Sequence, residues 1–208
     1  MEENIQLRPY QPQDRPYLEA IIRKTWNYDR FCQPEVAAKM ARVYLTSCLT
    51  NQTFTAVAVD GERPVGIIMG KNRRTHRCPV KLYVQSMAAI ASLLCSKQGR
   101  QVSKMFGGVD GIDKELLEKN GVDYPGELAF FAVDESCRGK GLGRKLFEAL
   151  VAYMRSQEIS RFYLFTDTSC NYAFYEHLGM VRRGEKHQTI QAGGELGDMT
   201  FFLYDYTC

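Results

Sequence analysis

At 208 residues, 45% hydrophobic and 25% charged, the chain has the size and balance of a globular domain with a substantial core. A formal charge of +3 is too small to indicate a nucleic-acid partner. The seven cysteines are scattered with no C-x-x-C pair, and with only three histidines they spell no zinc site, so no metal is expected.

Unpaired thiols of this kind fit a reducing cytoplasm. The opening MEENIQLRPY is acidic and lacks the apolar core of a secretory signal. No apolar run approaches the ~20 residues that span a bilayer. The chain is therefore expected to be cytoplasmic, with no membrane partner.

IQLRPY (5–10) alternates apolar and polar residues and reads as a first strand. Asp14 is a candidate N-cap, with Pro16 in the first turn of a helix that turns Leu18, Ile21, Ile22 and Trp26 to one side. A second helix runs from Pro34 to about Leu49, with Val36, Met40, Val43 and Tyr44 inward. TFTAVAVDGERPVGIIMGK (53–71) is a hairpin about its Asp-Gly turn. Residues 72–125 break the strand pattern and read as a helical insertion into a single domain, 1–208. The insertion opens with a basic cluster (Lys71, Arg73, Arg74, Arg77, Lys81). In its first helix Val80, Tyr83, Val84, Met87, Ala91 and Leu94 repeat at helical spacing. Glycines 107, 108 and 111 loosen the chain before a short helix, DKELLEKN, that Gly121 closes.

ELAFFAV (127–133) is nearly all apolar, as a central strand covered on both faces should be. It leads into a glycine loop, then a helix with Leu142, Leu146, Phe147, Leu150 and Met154 on one face. RFYLFTD (161–167) is another strand. A further helix begins at Thr168 or Ser169 and stops at Gly179, and a hairpin of EKHQTI (185–190) and DMTFFLYDY (198–206) about AGGELG ends the chain.

The loop in VDESCRGKGLGRKLF (133–147) carries the chemistry. Glycines 139, 141 and 143 with Arg138, Lys140 and Arg144 lie at the start of a helix, where unpaired backbone amides and the helix dipole favour an anion. A pyrophosphate is the natural fit. The spacing G-x-G-x-G departs from the G-x-G-x-x-G of dinucleotide folds, and the G-x-x-x-x-G-K-[ST] of nucleoside triphosphate loops is absent.

Arg138-Gly-Lys-Gly141-Leu-Gly143 after an apolar strand, followed by FYEHLGM (174–180), resembles the paired motifs of the Gcn5-related N-acetyltransferases. The order of elements is similar too, apart from 72–125. The resemblance implies an α/β fold, a mixed and mostly antiparallel sheet flanked by helices. It also implies acetyl-CoA as acyl donor and an amine as acceptor. By the same resemblance, Phe131, Ala132 and Val133 would hold the pantetheine arm through their main chain. Arg138, Gly139, Lys140, Gly141, Leu142, Gly143 and Arg144 would hold the pyrophosphate, and Asn171, read as one helical turn before Tyr175 on the same face, would hydrogen-bond the pantetheine. Tyr175 would protonate the departing thiolate, and Glu127 stands where histone-acetylating relatives carry a base. Strand amides could polarise the thioester carbonyl. A covalent route through Cys137 or Cys170 has no histidine placed to serve it, His177 being expected in a surface or core role, so transfer is expected to be direct. Trp26, Tyr28 and Phe31 fit either the acceptor pocket or core packing. The basic cluster 71–81 fits either an anionic acceptor or a solvated face. A non-catalytic acyl-CoA-binding module and a homodimer both stay open.

Overall fold

β-branched and aromatic runs bounded by Asp, Gly and Asn set out seven strands: β1 Ile5–Arg8, β2 Phe54–Asp60, β3 Arg63–Asn72, β4 Gly126–Val133, β5 Arg161–Asp167, β6 Val181–Ala192 and β7 Glu195–Thr207. The helices are α1 Arg15–Thr25, α2 Pro34–Thr50, α3 Val80–Leu94, α4 Lys97–Phe106, α5 Val109–Asn120, α6 Leu142–Ser156 and α7 Ala173–His177. The computed structural model describes residues 5–106, 109–192 and 195–208, and their side chains apart from those at 104–110 and 190–196. Glycines 107 and 108 and the centre of the AGGELG turn lie outside the described residues.

One sheet in the order β1-β2-β3-β4-β5-β7-β6 runs through the molecule, and every neighbouring pair is antiparallel except β4 with β5. This is the mixed, mostly antiparallel α/β architecture expected. On one face α1 and α2 pack on β2–β4 through Leu18, Ile22, Leu45, Val57, Ile67 and Phe130. On the other, α6 packs through Leu142, Leu146, Leu150 and Met154 against Ile68, Leu128, Phe162 and Tyr204. A third cluster seats α5, through Ile112 and Leu116, on Tyr163, Phe201 and Leu203. Residues 162 and 164 of β5 face α6, so Tyr163 points the other way. Hence α5 shares the α1–α2 side of the sheet, and a cleft separates them over β4 and β5.

Several local expectations need correction. Asp14 does not cap α1. Its carboxylate accepts from the Gln11 amide at 2.8 Å and from Arg8 at 2.6 and 2.7 Å, closing the 3-10 turn that precedes the helix. α4 was not foreseen. Its signal is Ser96, whose hydroxyl accepts the Gly99 amide at 2.9 Å as an N-cap does. Gly111 lies inside α5 rather than before it, while Gly121 follows its end as expected. α7 begins at Ala173, not at Thr168 or Ser169, because Ser169 bonds back to Asp167 through both its amide and its hydroxyl. α3 forms over the expected helical repeat, but the apolar stripe faces solvent, and the buried face is Ser86, Ala89 and Leu93, of which the first two are small enough to let the helix lie close on α2.

Candidate active site

A β-bulge opens the cleft. Met69 pairs with Phe130 and Gly70 with Leu128, which leaves Ala129 without a partner on β3. An extra residue bends the strand and increases its twist. It also resets which side chains face which way: Leu128 lies in the α6 core, whereas Phe130 and Ala132 lie in the α1–α2 core. β4 and β5 then pair only at Gly126 with Phe162 and Glu127 with Tyr163. Beyond Glu127 the edge of β4 that faces β5 has no strand partner among the described residues, and its backbone groups around Phe131, Ala132 and Val133 stand open to a ligand.

That edge runs into the glycine loop, where the three glycines have two different reasons. Gly139 and Gly141 adopt φ of 77° and 75°, a left-handed conformation that side chains resist. A Cβ on either would meet nothing within 4 Å. Gly143 is needed for room, since its Cβ would lie 3.0 Å from Phe174 Cζ. Gly141 caps α6, and the Lys145 amide makes the first i to i−4 bond, to the Gly141 carbonyl at 3.1 Å. The amides of Leu142, Gly143 and Arg144 come ahead of it and aim outward from the helix end. Arg138, Lys140 and Arg144 are exposed around them. Open space over two glycines, converging amides and three cations fit a pyrophosphate. Beside the loop, α1 and the ends of β3 and β4 enclose a cavity of about 530 Å³ lined by Tyr17, Lys24, Arg63, Asp134 and Arg138. Its Lys24 and Arg63 are paired with Glu135 at 3.2 Å and Asp134 at 2.9 Å.

Tyr175 reaches the cleft from α7. Phe174 stacks on Phe131 with ring centroids 5.5 Å apart, and Tyr175 meets the edge of Phe131 at 6.4 Å, so strand, loop and helix converge on one aromatic cluster. Burial first, then Cys170 and Asp167, pushes the Tyr175 hydroxyl well above its ordinary pKa. It is a neutral donor at any physiological pH. Asn171 precedes α7 and is exposed, so it does not share a helix face with Tyr175; the turn at 168–172 replaces the helical turn expected there.

Glu127 sits opposite Lys71 on β3. Lys71 Nζ lies 3.8 Å from it and donates to Asn51 Oδ1 at 2.5 Å, and Asn51 Nδ2 donates to Glu127 Oε1 at 3.4 Å. Tyr163 contacts the same carboxylate, and its hydroxyl is pushed upward by burial first and then by Glu127. Glu127 raises the Cys48 thiol too, behind burial, to about 12. Tyr44, raised by burial, feels Cys48, Cys170 and Tyr175 at once. Cys48 and Tyr44 of α2 are thus near enough to Glu127 and Tyr175, respectively, to interact with them electrostatically. Sequence reasoning missed Asn51, Cys48 and Tyr163 here, while Tyr44 packs against the α1–α2 core as expected. A mixed polar and aromatic face on α2 was the available signal.

Of the three aromatic candidates, Trp26 packs against the α1–α2 core, 4.8 Å from Tyr44 and 6.0 Å from Phe130 between ring centroids. Tyr28 is buried within that core. Phe31 is half-buried after the short turn at Tyr28–Arg30. The basic cluster divides. Lys71 and Arg73 turn to the cleft, Arg73 lying 5.7 Å over the Tyr163 ring and donating to the Tyr124 carbonyl at 2.7 Å. Arg74, Arg77 and Lys81 stay in solvent. Burial raises the Cys170 thiol, Cys137 is buried, and His177 donates Nδ1–H back to the Ala173 carbonyl at 2.6 Å. Among the described residues no group of His, Cys, Asp and Glu could hold a metal, and no helix is long and apolar enough to cross a membrane.

Residues 116–180, from α5 through α7, match the model of the acetyltransferase (GNAT) family. No curated protein matches the sequence. The fold is similar to that of a GCN5-related N-acetyltransferase from Kribbella flavida (TM-score 0.58, 14% identity, 100% of each chain covered). It is also similar to a ribosomal-protein-alanine N-acetyltransferase from Brucella melitensis (0.57, 15%, 98% of this chain and 99% of that one). An N-acetyltransferase from Staphylococcus aureus Mu50 superposes at 0.55 with 13% identity over 98% of each chain.

Proposed function

The chain has the fold of the Gcn5-related N-acetyltransferases and carries their family segment at 116–180, and on that premise we propose that it transfers the acetyl group of acetyl-CoA to a primary amine by direct attack in a ternary complex. The observation that carries this reading is the splay of β4 from β5 immediately before the glycine loop, with Tyr175 beside it. The loop amides of 142–144, with Arg138, Lys140 and Arg144, bind the pyrophosphate. The open edge of β4 at Phe131–Val133 takes the pantetheine amides, and an amide of the same edge polarises the thioester carbonyl. Asn171, at the rim, offers the pantetheine a side-chain partner.

An amine acceptor is mostly ammonium at neutral pH, with a pKa near ~10.4 if it is lysine-like, and must lose a proton before it attacks. Glu127, held by Asn51, Lys71 and Tyr163, accepts that proton, directly or through water. The amine then adds to the thioester carbon, and the C–S bond breaks as the tetrahedral adduct collapses. Tyr175 donates its proton to the departing sulfur. Trp26, Tyr44 and Phe130 form the wall that receives the acceptor's carbon skeleton.

The test is thiol release from acetyl-CoA with small amines and lysine-bearing or N-terminal peptides as acceptors. Thiol appearing in step with acetylated amine supports the proposal. Coenzyme binding with no release across the panel would instead leave a coenzyme-binding module.

A further inference from the structure

We propose that α3 and the basic segment leading into it dock on an anionic lipid surface. Val80, Tyr83, Val84, Met87 and Leu94 stand out from one side of α3, 77%, 58%, 58%, 47% and 38% exposed. They are five of the eight large apolar side chains exposed among the described residues, gathered on a single helix. Ala91 is exposed between Met87 and Leu94, so the stripe runs the length of α3. The opposite side of the helix is committed to α2 through Ser86, Ala89 and Leu93. Scattered surface apolar residues need no explanation; a concentration of this kind does.

Charge tells what can cover it. From Arg63 to Val109 the sequence holds nine Lys and Arg and no Asp or Glu. Arg74, Arg77 and Lys81 are exposed at the head of the stripe and have no acidic partner among the described residues. A second copy meeting this face by two-fold symmetry would set cations against cations. Area argues the same way. A helix of 15 residues is about 22 Å long and about 10 Å wide, a footprint of about 220 Å². A stable protein interface needs about 800 Å² from each partner. An acidic protein would meet the same shortfall.

A bilayer has no such threshold. Each apolar side chain that enters the headgroup boundary and each cation near it adds separately, and lipid deforms around side chains as prominent as Val80. Tyr83, apolar in its ring and polar at its tip, suits that depth. The expectation of no membrane partner rested on the lack of a spanning segment, which does not bear on surface binding.

The experiment is flotation of the full chain with phosphatidylcholine vesicles, with and without phosphatidylglycerol. Neither readout involves acyl transfer, so failure here is separate from failure of the enzymatic reading. Three surface cations should favour the anionic vesicles by about 100-fold. Arg74→Glu with Arg77→Glu should abolish that preference. Val84→Glu with Met87→Glu should abolish binding while the melting temperature stays at the wild-type value, since both sites are exposed. The proposal is overturned if the chain floats with neither vesicle, floats equally with both, or floats undiminished with the Val84 and Met87 pair changed. It is equally overturned if vesicles are ignored while polyglutamate retains the chain, or while that pair dissociates a dimer.

Discussion

Replacing Gly143 by alanine puts the argument about the glycine loop at risk. The new Cβ would lie 3.0 Å from Phe174 Cζ and 3.1 Å from Cε2, against an optimal carbon–carbon separation of about 3.5 Å or more. Relieving that overlap should cost about 1–3 kcal/mol. Alanine in the first turn of α6 returns up to about 1 kcal/mol over glycine. The net loss is then about 0–3 kcal/mol and does not separate the two effects, so the cycle with Phe174→Leu decides. Leucine removes the two ring atoms that clash, and Gly143→Ala should be neutral or stabilising in that background. Urea unfolding of the four proteins, analysed with a common m value, should show a coupling of about 1 kcal/mol or more. Additivity within about 0.5 kcal/mol would refute the close-approach account. Gly141→Ala offers the contrast. Its Cβ meets open space, so its cost of about 1–2 kcal/mol is conformational, and no change at a neighbour should rescue it.

Tyr175→Phe should lower kcat by about 100-fold or more while the melting shift with acetyl-CoA is unchanged, because only the proton donor is lost. Glu127→Gln should lower kcat/KM by at least about tenfold across amine acceptors, as measured by thiol release; an unchanged value would remove Glu127 from the proton path. Asp205, 1% exposed, accepts from Tyr124 at 2.8 Å and Arg183 at 3.0 Å and also pairs with Arg161, tying the α5 side of the cleft to β7. Asp205→Asn should cost about 1.5–3 kcal/mol in urea unfolding, since the buried carboxylate loses its charge-assisted bonds to Arg161 and Arg183, whose own side chains are about a third exposed. Burial pushes the Asp134 carboxyl up, but the Ser136 hydroxyl and amide together with Arg63 and Lys24 outweigh it and hold the pKa below the ordinary value. A depressed native pKa contributes stability that is present above the unfolded pKa near ~3.9 and is lost as pH falls through the native value. Asp134→Asn should therefore lose less stability than wild type between pH 6 and pH 3; an equal loss would dismiss Asp134 as an acid-sensitive group at the loop.

Much of the sheet was legible because its strands are dense in β-branched and aromatic residues and its turns in glycine and aspartate. The loop at 138–144 was legible because glycines between cations at a helix start have few other uses. The cleft itself was not. It depends on Ala129 having no partner on β3, and nothing in ELAFFAV marks which residue bulges. The helical spacing of Val80, Tyr83, Val84, Met87, Ala91 and Leu94 marks α3 as a helix but not which face is buried, and here a face of Ser86 and Ala89 approaches the neighbouring helix more closely than a bulky one can. Tyr28 and Tyr44 both pack in or against the α1–α2 core, and sequence spacing did not show that Tyr44 also meets Trp26 and Phe130 there. The turn at 168–172 followed from Asp167 capturing Ser169, a local bond that competes with helix formation.

The central claim, that the open edge of β4 and the glycine loop hold acetyl-CoA, is tested most directly by melting the protein with acetyl-CoA, NAD and ATP in parallel. At ~100 times its dissociation constant a ligand of the native state adds about 2.7 kcal/mol, an easily read rise in Tm. The account predicts that rise with acetyl-CoA, little with NAD or ATP, and its loss in Gly141→Asp, whose side chain sets bulk and negative charge where the phosphates sit. A cooperative transition that acetyl-CoA leaves unmoved, or that NAD moves instead, would contradict it.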